Sequence, residues 1–289
     1  MIEEERAMEE WRGMPVVKAI AEDITSRMEE LAGQNIIPTL AVIRVGARED
    51  DLSYERGLNK RFDSVGAKVV SKVLDENVSQ DELEAVIKEC NADSDIHGIL
   101  LFRPLPKHIN EKEVTELVDA NKDVDCMTLL NMAHTFAQDG KGHEPCTAQA
   151  VMEMLKFYNY DLTGKKAVVV GRSMVVGKPL AMMLQKKNAT VTMCHTKTVD
   201  LPAVCREADI ICACAGAAKM IKKEYMSEGQ IIIDVGINVV DGNLCGDVDY
   251  EAAKEIAASA TPVPGGVGTV TTSVLLMHTV VSAEKMAKK

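Results

Sequence analysis

Two stretches in the second half of the chain combine residue types suited to holding a dinucleotide. In KKAVVVGRSMVVGKPLA a β-branched run ends on Gly171 and a helical pattern opens on Gly177, with Arg172 and Ser173 in the turn between. Glycine lets a backbone come close to a ligand, and the unpaired amides of a helix start favour an anionic phosphate. The same Gly-x-Ser-x-x-x-Gly spacing also suits an ordinary strand-to-helix turn, so the next strand matters. ATVTMCHTKT ends on Cys194, His195, Thr196 and Lys197, where a site for NAD would present an Asp or Glu to the ribose hydroxyls. Without that carboxylate, Arg172, Thr196 and Lys197 offer charge-assisted hydrogen bonds to a 2′-phosphate, and NADP is the expected cofactor. His195 and Cys194 read as a wall of this site, not as catalysts or metal ligands, and no metal is expected. Farther on, TPVPGGVGTVTT gathers Pro262, Pro264, Gly265, Gly266 and Gly268 before a helix, a stiff loop that still permits close approach and is expected to line a ligand.

These residues need elements to position them, and strand-like and helix-like patterns alternate along the whole chain, which predicts an α/β fold. In the first half, residues 36–46 read as a buried strand, 54–66 as a helix closed by Gly66, and AKVVSKVL as a second strand. SQDELEAVIKECNAD follows as a helix capped by Ser79, and HGILLFRPLP as a strand that stops at Pro104. The second half starts near Pro145 with the helix CTAQAVMEMLKFY and the strand at 165–171. It continues with a helix from about Lys178 and the strand ATVTMCH. The helix LPAVCREA, the strands DIICACAG and IIIDVGIN and a final helix from TTSVLLMHTVV complete it. That is the rhythm of a Rossmann-like parallel sheet. His278 interrupts the apolar stripe of the last helix.

Composition narrows the function classes. A net charge of -11 opposes general binding to nucleic acid or to an anionic membrane. The start, MIEEERAMEEWRGM, is acidic where a signal peptide is basic, and no stretch is long enough to span a membrane, so a cytoplasmic protein is expected. Eight scattered cysteines with no C-x-x-C pair read as reduced, mostly buried thiols.

The combination GRSMVVGKPLA, ATVTMCHTKT, GDVDY and TPVPGGVGTVTT closely resembles the methylenetetrahydrofolate dehydrogenase/methenyltetrahydrofolate cyclohydrolase family. The likeness extends through KDVDCMTLLN, EPCTAQA, HGILLFRPLP and VGAREDDLSYERGLNKRFDSVG. It implies two α/β domains flanking a cleft. Residues 1–144 would form a folate-binding catalytic domain, with a C-terminal helix at 271–289 packing back on it. Residues 145–270 would form an NADP-binding Rossmann-like domain, and the protein would be a homodimer. The implied reaction is oxidation of 5,10-methylenetetrahydrofolate to the 5,10-methenyl form by hydride transfer to NADP, which bifunctional members follow by hydrolysis to formyltetrahydrofolate.

By the same resemblance Tyr54 lies against the folate and Asp125 of KDVDC hydrogen-bonds the pterin, with Pro264, Gly265 and Gly266 lining the substrate. Gly171, Arg172, Ser173, Val176, Gly177, His195, Thr196, Ala215, Gly216, Ile237 and Thr271 match the cofactor contacts. The chain departs from the family pattern at Leu58, which replaces a Lys one helical turn after Tyr54, and at Phe102, which replaces the Gln that holds that Lys. Lys60, about 600° of helix rotation from Tyr54, lies on another face. Cys126 and Ala133 stand where the family has Gly, and Ala148 where it has Pro. Hydrolysis needs proton management that Leu and Phe do not supply, so a dehydrogenase with weakened or lost cyclohydrolase is expected, with a separate cyclohydrolase in the same pathway. Alternatives are a fully bifunctional enzyme, an oxidoreductase for another reduced pterin, and a catalytically silent NADP-binding partner.

Overall fold

The computed structural model describes residues 7–288, which fold as two compact units. One comprises residues 19–146 and 272–288, the other residues 7–18 and 147–271. From sequence, all of 1–144 is expected in one domain; residues 7–18 instead group with the second unit. The physical reason is a short strand, β1 (Glu9–Glu10), and the ring of Trp11, which is buried and stacked at 4.7 Å on Tyr158.

Next come α1 (Gly13–Ala32), β2 (Thr39–Val45), α2 (Glu49–Asp63), β3 (Lys68–Leu74), α3 (Gln80–Ala92), β4 (Gly98–Leu101), α4 (Glu111–Thr115) and α5 (Leu129–Ala137). Every residue of β2 is buried, as expected for the centre of a parallel sheet. The sheet order is β3-β2-β4, all parallel, and a bridge between Ile99 and Asp123 adds one step beside β4. Helix α2 begins five residues before Tyr54, because Glu49, Asp50 and Asp51 complement the positive end of the helix. Ser79 caps α3 through a reciprocal capping box with Glu82. Inside β2, Arg44 is buried but paired with Glu55 at 3.0 Å, and Glu55 also accepts the Ser71 hydroxyl.

The remaining elements are α6 (Cys146–Phe157), β5 (Lys166–Val170), α7 (Gly177–Lys186), β6 (Thr190–Cys194), α8 (Leu201–Arg206), β7 (Ile210–Ala213), β8 (Ile231–Asp234), β9 (Asn238–Val240), β10 (Asn243–Cys245), α9 (Tyr250–Ile256), β11 (Ser259–Ala260) and α10 (Val267–Ala287). A six-stranded parallel sheet runs β1-β11-β8-β7-β5-β6, and β9 and β10 form a separate antiparallel hairpin. The core here is aliphatic and thiol-rich, with Val168, Val170, Cys194, Cys205, Ile211 and Ile232 buried together. All eight cysteines are free, six of them buried. Helix α10 starts at Val267, inside the Pro-Gly run.

Candidate active site

Strand order places the ligand crevices. In the larger sheet the chain leaves β5 toward β6 on one side and β7 on the other, so the loops after β5 and β7 diverge at their carboxyl ends. Gly171 sits there at φ +141, and a Cβ on it would come 2.3 Å from the Cys214 carbonyl oxygen. A Cβ on Gly177 would come equally close to the carbonyl of Gly171, so only glycine lets α7 begin this near the strand. The Ser173 hydroxyl accepts from the amides of Val176 (3.1 Å) and Gly177 (3.4 Å). The amides of Arg172 and Ser173 make no hydrogen bond among the described residues, and the Arg172 side chain is exposed with no ion pair. Unpaired amides beside an exposed cation fit a phosphate-bearing dinucleotide.

The loop after β7 is held differently. The amides of Ala215, Gly216 and Ala217 all donate to the buried carboxylate of Asp247, at 2.6, 2.9 and 2.8 Å, and the Asn238 amide adds a fourth bond at 2.9 Å. Those amides are therefore committed inside the protein. Gly216, at φ +65, leaves open space where a Cβ would stand. Asp234 plays a similar part, accepting from the amides of Gly236, Asp247 and Val248, and burial pushes its carboxyl up to about 7. A Cβ on Gly236 or Gly246 would strike one of these two carboxyl groups. Asp234 and Asp247 escape motif reading, although each lies beside a glycine that must be small, in IIIDVGIN and GDVDY.

The other expected cofactor contacts fall in the same unit. The His195 amide donates to the Thr198 hydroxyl at 2.9 Å, and its Nδ1 accepts from the Lys197 amide at 3.1 Å, so His195 shapes the turn that exposes Thr196 and Lys197. Val176 precedes α7, Ile237 is exposed beside the β9-β10 hairpin, and the Thr271 hydroxyl turns back onto the carbonyl of Val267. The loop carrying Pro264, Gly265 and Gly266 packs on Gly13, whose amide donates to the Gly265 carbonyl at 2.8 Å. A Cβ on Gly13 would lie 2.3 Å from the Gly266 carbonyl.

The smaller sheet repeats the order, with β2 central and the chain leaving it toward β3 and β4. Tyr54 lies on α2 after β2, Phe102 and Arg103 follow β4, and Asp125 follows the bridge at Asp123. The rings of Tyr54 and Phe102 meet edge to face with centroids 5.8 Å apart. Leu58 is completely buried and Phe102 nearly so, while Lys60 is exposed. The Asp125 carboxylate accepts from the Cys146 amide at 3.4 Å. Burial raises its pKa above the usual carboxylate range, opposed by the hydrogen bond from Cys146 and the charge of Arg103. The Tyr54 hydroxyl is pushed well above its ordinary value, chiefly by burial and further by the charge of Asp125. Burial likewise raises the Cys146 thiol, which stays protonated and is no nucleophile.

Neighbouring motif residues prove structural. Asp123 is fully buried and accepts from the amides of Met127 and Thr128 and the side chains of Thr128 and Asn131. Lys122 binds three carbonyls, of Cys90, Asn91 and Asp93. Cys126 adopts φ +57, the left-handed conformation that favours glycine, while Ala148 is buried in α6 and Ala133 exposed in α5. His278 is not a polar break in α10. Its Nδ1 donates to the Val124 carbonyl at 2.9 Å and its ring stacks on His143 at 4.5 Å, with burial pushing the two pKa values down to about 4 and about 2.

Residues 11–125 match the family model for the catalytic domain of tetrahydrofolate dehydrogenase/cyclohydrolase, and residues 145–287 match its NAD(P)-binding domain. The chain belongs to the tetrahydrofolate dehydrogenase/cyclohydrolase family. It is 50% identical over 275 residues to the bifunctional protein FolD of Carboxydothermus hydrogenoformans, covering 94% of this chain and 96% of that one. The crystal structure of the bifunctional enzyme FolD from Campylobacter jejuni superposes with a TM-score of 0.94 at 39% identity, over 96% of this chain and 99% of that one. The dehydrogenase-cyclohydrolase of Trypanosoma brucei, complexed with NADP cofactor and inhibitor, gives 0.93 at 32% identity, over 98% and 99%. Relatives named bifunctional give no support to the expectation of a dehydrogenase alone served by a separate cyclohydrolase. Among the described residues no helix is long and apolar enough to cross a membrane, and no cluster of three metal-ligating side chains occurs.

Proposed function

We propose that this family member oxidises 5,10-methylenetetrahydrofolate with NADP and hydrolyses the 5,10-methenyl product to formyltetrahydrofolate, as a homodimer in the cytoplasm. The observation that carries the proposal is the grouping of Tyr54 and Asp125 at the strand ends of the catalytic domain, which offers a pterin an aromatic edge and a half-buried carboxylate. The carboxylate orients the pterin by accepting its N–H groups, and Tyr54 with Phe102 shields the reacting carbon from water. NADP, when bound, supplies the hydride acceptor. Arg172, exposed and unpaired, is the anchor for its 2′-phosphate, supported by the absence of a carboxylate after β6 and by the NADP held by the trypanosomal relative. The folate nitrogens stabilise the cation that hydride loss creates, so the chain's contribution to that step is alignment.

A second reading has a specific observation in its favour. With Leu58 completely buried and Phe102 closing over Tyr54, the chain lacks the lysine and glutamine that the family places there, which favours a weakened hydrolytic step. One experiment separates the readings: the purified protein is mixed with methylenetetrahydrofolate and either NADP or NAD, and reduced cofactor and methenyl product are followed separately. Cofactor reduction with NADP preferred and no build-up of methenyl product is expected. Lasting accumulation of methenyl product would favour the second reading, and absence of any cofactor reduction would refute both.

A further inference from the structure

We infer that Arg103 is the catalytic cation of the hydrolytic step, supplied from the end of β4 in place of a lysine on α2. This deepens the proposed function and rests on it. Parallel pairing of Ile99 with Asp123 sets Leu101 level with Asp125, so Phe102 and Arg103 leave the sheet beside that carboxylate. Phe102 is anchored by its ring contact with Tyr54, which fixes the backbone from which Arg103 departs. Arg103 is half-buried, and its guanidinium makes no hydrogen bond or ion pair among the described residues, although its charge reaches the Asp125 carboxyl.

Several other cations of this unit are occupied, Arg27 by Glu284, Arg44 by Glu55, Arg48 by Asp51 and Lys122 by three carbonyls, while Arg56, Lys60, Lys107 and Lys112 are exposed. Arg61 also has an unpartnered, buried Nε, but it stands two helical turns beyond Tyr54 and is not among the charges acting on that hydroxyl. A half-buried guanidinium with all its donors unused, beside the carboxylate that would hold the pterin, is built to take an oxygen of the reacting species.

Guanidinium stays charged at any physiological pH, so its part is electrostatic and not proton transfer. Water adds to the amidinium carbon of the methenyl cation, forming a carbon–oxygen bond and releasing one proton to solvent, which leaves a neutral carbinolamine. Collapse to the formyl group then breaks one carbon–nitrogen bond, and the hydroxyl proton passes through solvent to the departing nitrogen. Nothing is oxidised or reduced, and one proton is released overall. A fixed positive charge disfavours the cation relative to the neutral adduct, and the guanidinium N–H groups stabilise the negative charge that builds on the oxygen as the carbinolamine hydroxyl loses its proton on collapse. The same charge opposes formation of the cation by hydride loss, so Arg103 sets the balance between the two reactions.

The test compares the full-length protein with R103L, R103K and R61L in two assays, loss of added methenyltetrahydrofolate above its spontaneous rate and NADP reduction with methylenetetrahydrofolate. In R103L the ratio of hydrolysis to hydride transfer is expected to fall about 100-fold or more, the size typical for loss of an oxyanion donor, while R103K keeps the larger part. Should R103L not fold, R103Q removes the charge while keeping length and polarity, and gives the same comparison. A ratio within about threefold of wild type in the charge-free variant overturns the inference, as does the loss appearing in R61L instead. So does a wild-type protein that reduces NADP but adds nothing to spontaneous hydrolysis; failure to reduce NADP would instead refute the reading on which the inference rests.

Discussion

The two units share a topology and use it in opposite ways. Each has a parallel strand, β5 or β2, flanked on its two sides by the next two strands of the chain, and each collects its candidate site residues at the carboxyl ends of these neighbouring strands. In the NAD(P)-binding domain the loops are shaped by backbone amides held on buried carboxylates, Asp247 and Asp234, with glycines where a Cβ would collide. In the catalytic domain the site is made of side chains: Tyr54 against Phe102, Asp125 under the Cys146 amide, and Arg103 with its donors free. A backbone-built site constrains residue size and conformation, whereas a side-chain-built site is remade by single substitutions.

The largest effect should come from breaking the backbone-built site at its support. Asp247→Ala deletes an acceptor of four hydrogen bonds, and since bonds to a buried charge are worth about 1.5–3 kcal/mol each, a loss of at least about 3 kcal/mol is expected. Urea denaturation would measure it, and a change below about 1 kcal/mol would show that the loop after β7 does not depend on this carboxylate.

Next in size is a pair of changes that should act on one ligand each. Asp125→Ala should weaken folate binding by about 1.5–3 kcal/mol, roughly 10- to 150-fold, and leave NADP affinity nearly unchanged. Arg172→Ala should lower NADP affinity by a similar factor, remove most of the preference over NAD and spare folate binding. Titrations of each variant with each ligand decide the matter, and loss of both ligands in Asp125→Ala would make that residue structural.

The smallest effect concerns pH. Burial depresses the pKa of His143 to about 2, so the unfolded chain binds a proton that the folded chain refuses. Stability from this group is complete above the ordinary histidine pKa of about 6.5 and falls by about 1.4 kcal/mol for each pH unit below it. His278 adds in the same direction. Asp234, raised to about 7, works the other way, since its folded form holds a proton that the unfolded chain releases above about pH 4. The total slope therefore mixes opposing groups, and the difference between wild type and His143→Phe isolates one of them. Between pH 6.5 and 5 wild type should lose about 2 kcal/mol relative to the variant; parallel curves would mean that His143 titrates normally in the folded protein.

Legibility followed the same division. Gly171, Gly177 and the Pro-Gly run were readable because a glycine forced by sterics leaves its mark at fixed spacing from a strand, and the missing carboxylate after ATVTMCHT was readable as an absence at a known place. Tyr54 and Asp125 came through resemblance and not through spacing. Arg103 had no signal of its own, because an arginine before a proline is an ordinary surface residue until something shows what stands opposite it.

By itself the sequence determined the alternation of strands and helices, the buried aliphatic strands and the capped start of α3, because each depends on residues only a few positions apart. It did not determine that residues 7–18 join the second unit, since that depends on Trp11 meeting Tyr158 almost 150 positions away. Nor did it decide which aspartates of KDVDC and GDVDY are buried acceptors and which one is left beside a cation. A carboxylate in a loop reads the same whether it will be solvated, capped by amides or charged in a pocket. Only packing against distant segments chooses among these, because desolvation and hydrogen-bond supply are properties of the assembled surroundings and not of the local chain.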